Sequence, residues 1–160
     1  MIILVMGVSG SGKTSVGQAL ARRLQCSFSD ADAFHSDANR AKMRAGVPLT
    51  DEDRRPWLRT IGEAIRAADA QGTSHVFACS ALKAEYRRIL DPEGRCKLVY
   101  LRGSRGLLEE RLAGRTGHFF NPDLLQSQLD TLEEPGDALI VDVARPLPEI
   151  VDSLASALGA

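Results

Sequence analysis

A three-layer α/β architecture around a mostly parallel sheet of about five strands is what this 160-residue sequence predicts. Two observations carry the prediction. The apolar runs are short and continuous rather than alternating, as in strands covered on both faces. Each is followed by a helical pattern, the order of parallel strands joined by crossover helices. In chain order, "IILVM" precedes "KTSVGQALARRL", a second apolar stretch ends in "FSDADAFH", and "HVFAC" precedes "SALKAEYRRIL". "KLVYL" then precedes "SRGLLEERLAG", and "ALIVDV" precedes "LPEIVDSLASAL".

Two segments break this rhythm. Residues 36–71 contain a short helical pattern ended by Gly46, then a longer one in which Thr50 and Asp53 have the spacing of a capping pair. Pro56 is expected in that helix's first turn, where its missing N–H does least harm. This helical pair is expected to close over a second substrate. Residues 114–125, "GRTGHFFNPDLL", combine glycines, an arginine, a histidine and two aromatics, and are expected to form a covering lid. Neither repeats nor a linker interrupt the chain, so residues 1–160 are read as one domain.

Composition narrows the class. A hydrophobic content of 44% with 26% charged residues is that of a water-soluble globular domain, and a formal net charge of -1 argues against nucleic-acid binding. No apolar run has the length of a membrane span, and "MIILVMG" lacks the basic lead of a signal peptide, so a cytoplasmic protein without a membrane partner is expected. Cys26, Cys79 and Cys96 are widely spaced and read as reduced core residues. His35, His75 and His118 share no metal-ligand spacing.

The chemistry is carried first by "MGVSGSGKTS", directly after the first apolar run. Gly7, Gly12, Lys13 and Thr14 satisfy G-x-x-x-x-G-K-[ST], the phosphate-binding loop (P-loop), between a strand and a helix as that pattern requires. The glycines, Gly10 among them, let successive N–H groups turn toward one phosphate chain, and the following helix N-terminus adds partial positive charge. Gly7, Gly10, Ser11, Gly12, Lys13, Thr14 and Ser15 are therefore candidate ATP-binding residues, with Lys13 reaching the β and γ phosphates and Thr14 holding Mg²⁺.

Such a loop leaves the fate of the γ phosphate open. A guanine-reading N-K-x-D is absent, and the acid that motor ATPases place after a strand is found here only at Asp142, on the last strand. Asp142 lies either near the nucleotide base or simply at a strand end. "FSDADAFH" favours a kinase: on an extended backbone Asp30 and Asp32, two apart, would face one side. One carboxylate, Asp32, could accept the proton of an attacking hydroxyl while Asp30 orders water on Mg²⁺.

"MGVSGSGKTS", "DADAFH", "PLTDEDRRPWL", "CSALKAEYR", "RTGHFF" and "TLEEP" follow one another in the order and spacing of the gluconate kinases, which this chain resembles from residue 2 to about 150. The resemblance implies a P-loop kinase fold and ATP-dependent, Mg²⁺-assisted phosphorylation of D-gluconate at its 6-hydroxyl. It also implies a homodimer. Shikimate kinases carry a glycine triplet where this chain has "CSALK"; the rivals are a kinase of another small acid such as shikimate, or a non-catalytic nucleotide switch.

Gluconate is a polyol with a carboxylate, so the resemblance assigns Arg54 and Lys83 as cations for the acid, with His35, Ser80 and Arg87 as further polar contacts. Arg87 reads equally as part of a salt-bridged surface, and Trp57 as core packing in preference to a sugar platform. Arg111 and Arg115, four apart, share one side of a helix; Arg115 is the candidate for stabilising the transferring phosphoryl group and Arg111 for contacting ATP. His118 either contacts gluconate or shapes the lid, and Phe119 and Phe120 would seat it against water. Two departures from the family pattern stand out. Ala144 and Arg145 replace an acid and an amide near the expected adenine position, and Gly114 and Thr116 stand where larger or basic residues are common.

Overall fold

A computed structural model describes residues 1–114 and 122–159 of the chain. Five strands, β1 (Ile2–Met6), β2 (Ser27–Asp30), β3 (His75–Ala78), β4 (Lys97–Arg102) and β5 (Leu139–Asp142), form one sheet in the order β2-β3-β1-β4-β5. All four pairings are parallel, with Leu4 opposite Phe77 on one side and Leu98 on the other. The chain lays β2 and β3 to one side of β1 and then β4 and β5 to the other. The loop after β1 therefore sits where the strand order reverses, at the carboxyl edge where open α/β sheets bind ligands.

The helices are α1 (Lys13–Leu24), α2 (Asp37–Arg44), α3 (Asp51–Ala70), α4 (Ala84–Leu90), α5 (Arg105–Ala113), α6 (Pro122–Thr131) and α7 (Leu147–Ala157), with a 3₁₀ turn over Ala31–Phe34. β1 is buried on both faces. Ile2, Leu4 and Met6 join Trp57, Leu58, Ile61, Tyr86 and Leu90 of α3 and α4 in one core. Ile3 and Val5 point the other way, into a second core with Val16 and Leu20 of α1 and Ile150 and Leu154 of α7. This two-sided burial explains why the run does not alternate. At the carboxyl edge a smaller cluster joins Val8, Leu82, Leu108 and Leu125, tying α5 and α6 to the loops of the site.

The insertion between β2 and β3 consists of α2 and α3. Thr50 and Asp53 form a reciprocal capping box at the start of α3, and Gly46, at φ 74, follows α2. Pro56 departs from expectation: it is the sixth residue of α3, beyond the first turn. The helix continues because Pro56 and Glu52, whose carbonyl loses its partner, both lie on the solvent face. Residues 122–125, grouped above with the lid, form the start of α6, and Leu125 is fully buried. Arg115, Thr116, His118, Phe119 and Phe120 lie outside the described residues.

Candidate active site

The phosphate loop gets its shape from left-handed backbone at Gly10 (φ 84) and Gly12 (φ 91), which only glycine adopts without strain. A Cβ on Gly10 would come within 2.9 Å of the Leu112 side chain, and one on Gly7 within 2.5 Å of Ser11 Oγ. Gly12 is also the N-cap of α1 and offers no side-chain cap, while the helix's first turn carries no acid. Its positive end is thus left for an anion. Ser11 is buried, and among the described residues its Oγ is a buried side-chain oxygen with no protein partner. These features fit a polyphosphate. Lys13 Nζ donates to Val8 O at 3.2 Å, arching back over the loop.

Thr14 Oγ1 donates to Asp30 Oδ2 at 2.7 Å, so the hydroxyl and carboxylate assigned to Mg²⁺ do meet, with Ser15 exposed beside them. Among the described residues there is no cluster of three or more His, Cys, Asp or Glu able to hold a metal. One carboxylate and one hydroxyl suit Mg²⁺, which retains waters and draws on substrate phosphates for its other ligands. Asp32 is not on extended backbone as expected: it lies in the 3₁₀ turn, because Asp30 Oδ1 accepts the Asp32 N–H at 3.0 Å and bends the chain there. Even so, Lys13, Asp30 and Asp32 all stand close enough to Cys79, at the end of β3, to act electrostatically on its thiol. Burial pushes that thiol up to about 12. It is an inert core residue.

A second cluster forms where α3 meets the loop before α4. Lys83 Nζ donates to both Asp51 oxygens at 3.1 Å, the Tyr86 hydroxyl donates to Asp51, and Arg54 Nη1 donates to the Tyr86 hydroxyl at 3.3 Å. Arg54 and Lys83 also lie over the Tyr86 ring, 5.8 and 5.4 Å from its centroid. Hydrogen bonds from Tyr86 and Lys83 hold the Asp51 carboxyl below its usual range, and the bond to Asp51 raises Lys83. The two expected cations therefore converge, and Asp51 and Tyr86 join them. Ser80, half-buried, lies in the same loop.

This loop does not begin the helix that "SALKAEYRRIL" suggested. Ala81 sits at φ 47, and α4 starts only at Ala84. Arg87, half-buried at this position, gives the loop its shape. Its Nη1 donates to Ala81 O at 2.7 Å and Leu82 O at 3.3 Å, and its Nη2 to Glu133 O at 2.9 Å. The guanidinium clamps the left-handed loop in place. His35 is likewise committed inside the fold: it is buried, stacked on Trp57 at 4.1 Å, and 3.4 Å from Asn39 Nδ2 through its Nδ1. Desolvation lowers its pKa. Trp57 Nε1 donates to Ala31 O at 2.8 Å, so Trp57 is core packing that anchors α3 to the turn holding Asp32.

On the other side of the phosphate loop, a cleft of about 350 Å³ is lined by Gly12, Ser15, Arg111, Val143 and Arg145 among others. Arg111 Nη2 donates to Val143 O at 2.5 Å, which places it at the cleft wall. Asp142 ends β5 and accepts the Ala144 N–H at 2.9 Å, closing a turn at the strand end next to Val143 of the cleft. Arg145 turns toward α7, donating to Ser153 Oγ at 2.9 Å.

Sheet order and loop together make this a P-loop kinase of the small-molecule type. In agreement, a family model described as Shikimate kinase matches residues 9–144. "Probable gluconokinase" of Dictyostelium discoideum is 45% identical, over 96% of this chain and 84% of that protein. "Thermoresistant gluconokinase" of Escherichia coli is 42% identical, over 95% of this chain and 90% of its own length. The crystal structure of a gluconokinase from Sinorhizobium meliloti superposes with a TM-score of 0.88 at 47% identity, covering 98% of this chain and 90% of that one. The chain belongs to the gluconokinase family.

Proposed function

We propose that the chain transfers the γ-phosphoryl group of ATP to the 6-hydroxyl of D-gluconate. The observation that carries this reading is the contiguity of the two clusters. Thr14 is bonded to Asp30 and Asp30 to the Asp32 N–H, Trp57 of α3 is bonded to the neighbouring Ala31, and Arg54, three residues before Trp57, continues through Tyr86 to Asp51 and Lys83. An acid bound at one end of this row and a triphosphate at the other would meet at Asp32.

In this reading the loop from Gly7 to Ser15 cradles the phosphates, and Lys13 neutralises charge at the β and γ positions. Mg²⁺, when bound with ATP, would screen the phosphate charge, held by Thr14 directly and by Asp30 through water. Asp32, exposed at the carboxyl edge, takes the proton of the attacking hydroxyl. Arg54 and Lys83 bind the gluconate carboxylate. The Lys83–Asp51 pair is about a third exposed on both sides, so holding Lys83 against Asp51 contributes little and a substrate carboxylate can recruit it. Ser80, Tyr86 and Asp51 supply hydroxyl partners. Arg111 and the 350 Å³ cleft receive the nucleoside. Arg115 as the phosphoryl-stabilising arginine and His118 as a substrate contact complete the proposal.

The test is ADP release measured with gluconate, shikimate and glycerate as acceptors, with 6-phosphogluconate detected by its specific dehydrogenase. Gluconate is expected to give by far the highest kcat/KM. A preference of about tenfold for another acceptor, equivalent to ~1.4 kcal/mol in the transition state, would replace this reading with a kinase of that acid. Equal ADP release without any acceptor would favour a nucleotide switch.

A further inference from the structure

Leu125 and Leu129 of helix α6, with Leu132 just beyond it, pack against Val8, Leu82 and Leu108. Gln128 lies on the same side, three residues after Leu125. Both ends of its carboxamide are engaged by one residue in the middle of the phosphate loop: Ser9 N–H donates to Gln128 Oε1 at 2.7 Å, and Gln128 Nε2 donates to Ser9 Oγ at 2.9 Å. A few residues later the same segment reaches the Lys83 loop. Glu133 N–H donates to Leu82 O at 2.8 Å, and Glu133 Oε1 accepts the Ala84 N–H at 2.7 Å. That second bond caps α4, whose own N-cap residue, Lys83, supplies no side-chain bond.

We propose that residues 125–133 are a brace between the two substrate loops, with Gln128 a positioning residue for the nucleotide and Glu133 one for the acid. The inference rests on the phosphotransfer reading above. A glycine-rich loop has little rigidity of its own, and the Lys83 loop holds a left-handed alanine, so each needs an outside partner to keep one conformation. One short segment supplies both partners. It thereby sets the distance between donor and acceptor, a quantity on which in-line transfer depends steeply.

The test uses Gln128→Met, which keeps length and removes both bonds, with Glu133→Ala and Glu133→Gln, the last retaining an acceptor for Ala84. The readouts are the Kd for a non-hydrolysable ATP analogue, the KM for gluconate, and the thermal midpoint. Gln128→Met is expected to weaken the analogue about tenfold, the effect of two hydrogen bonds, with the gluconate KM changed by less than about twofold. Glu133→Ala is expected to raise the gluconate KM about tenfold without moving the analogue Kd, and Glu133→Gln to restore it. Should Gln128→Met not fold, Ser9→Ala, which removes one of the two bonds, is expected to weaken the analogue about threefold. Variants that lose thermal stability while keeping wild-type Kd and KM would overturn the brace, as would a Glu133→Gln that fails to rescue. If the wild type does not phosphorylate gluconate, the acceptor reading fails, and the analogue Kd alone decides for or against the role of Gln128.

Discussion

Thr14 and Asp30 are joined hydroxyl to carboxylate at 2.7 Å, linking the first turn of α1 to the end of β2. The other oxygen of Asp30 accepts the N–H of Asp32 at 3.0 Å, leaving the Asp32 carboxylate outside that pair. Separable roles are therefore expected of the two aspartates. Asp30→Asn is expected to raise the Mg²⁺ concentration needed for half-maximal rate, with kcat recovering at saturation. Asp32→Asn is expected to lower kcat roughly 10²-fold at any Mg²⁺ concentration, the usual scale of a lost general base. Mg²⁺ titrations of both variants check this, and interchangeable profiles would merge the two roles.

Lys13→Ala removes, from a partly exposed position, the charge proposed to meet the phosphates, and disturbs no core cluster. Turnover is expected to drop by about 10²-fold or more with the thermal midpoint unchanged. Retention of more than about a tenth of the wild-type kcat would show that Lys13 does not stabilise the transition state.

Lys83→Met keeps much of the side chain's length and removes the ammonium that lies over the Tyr86 ring and bridges to Asp51. Steady-state kinetics should show a gluconate KM raised by about tenfold or more, with the KM for ATP close to wild type, because a charge-assisted bond to a carboxylate is lost. A variant affected in ATP and not in gluconate would move Lys83 to the nucleotide.

The His35–Trp57 stack supplies an optical probe, since Trp57 is the chain's one tryptophan. A protonated imidazole against an indole quenches its emission. Burial disfavours the charged ring, so the fluorescence is expected to titrate with a midpoint below the ordinary 6.5. The sign follows for stability: the unfolded chain takes up this proton first, so the insertion loosens as pH falls below 6.5. A midpoint at or above 6.5 would contradict the buried stack.

Asp53 is bonded by Lys42 Nζ at 2.8 and 2.9 Å and by the Thr50 N–H at 2.9 Å, and these bonds lower its carboxyl to about 2. A depressed carboxylate stabilises the fold above its unfolded pKa, here 3.8, and that contribution disappears as pH falls through about 2. Thermal midpoints of wild type and Asp53→Asn should differ most near neutrality and converge on acidification. A constant difference across that range would mean that the capping box does not depend on charge.

Where the chain speaks locally, its structure was legible. The run before Gly7, the helix after Gly12 and the Thr50–Asp53 box each depend on residues a few positions apart, and all three are found. The helical period of "SALKAEYRRIL" misled at its start because the backbone of Ala81 is set by Arg87, whose pull on a carbonyl carries no periodic signal. Asp51 and Tyr86 were missed for a related reason. They become site residues only when α3 and α4 bring positions 35 apart together. The Ser9–Gln128 contact spans 119 residues, and nothing local sets Gln128 apart from the polar residues around it in "PDLLQSQLDT".

With the two ligands placed as proposed, the two-sided burial of β1 makes neighbouring positions on one strand answer to different ligands. Ile3 and Val5 press on α1 and α7, which wall the 350 Å³ cleft proposed for the nucleoside, whereas Leu4 and Met6 press on α3, which carries Arg54, and on α4, which follows Lys83. Trimming an odd-numbered residue loosens the wall on the ATP side, and trimming an even-numbered one loosens the wall on the acid side. Under the proposed assignment β1 is thus a vernier with two scales, through which affinity for donor and acceptor is expected to be adjusted separately by single methylene steps.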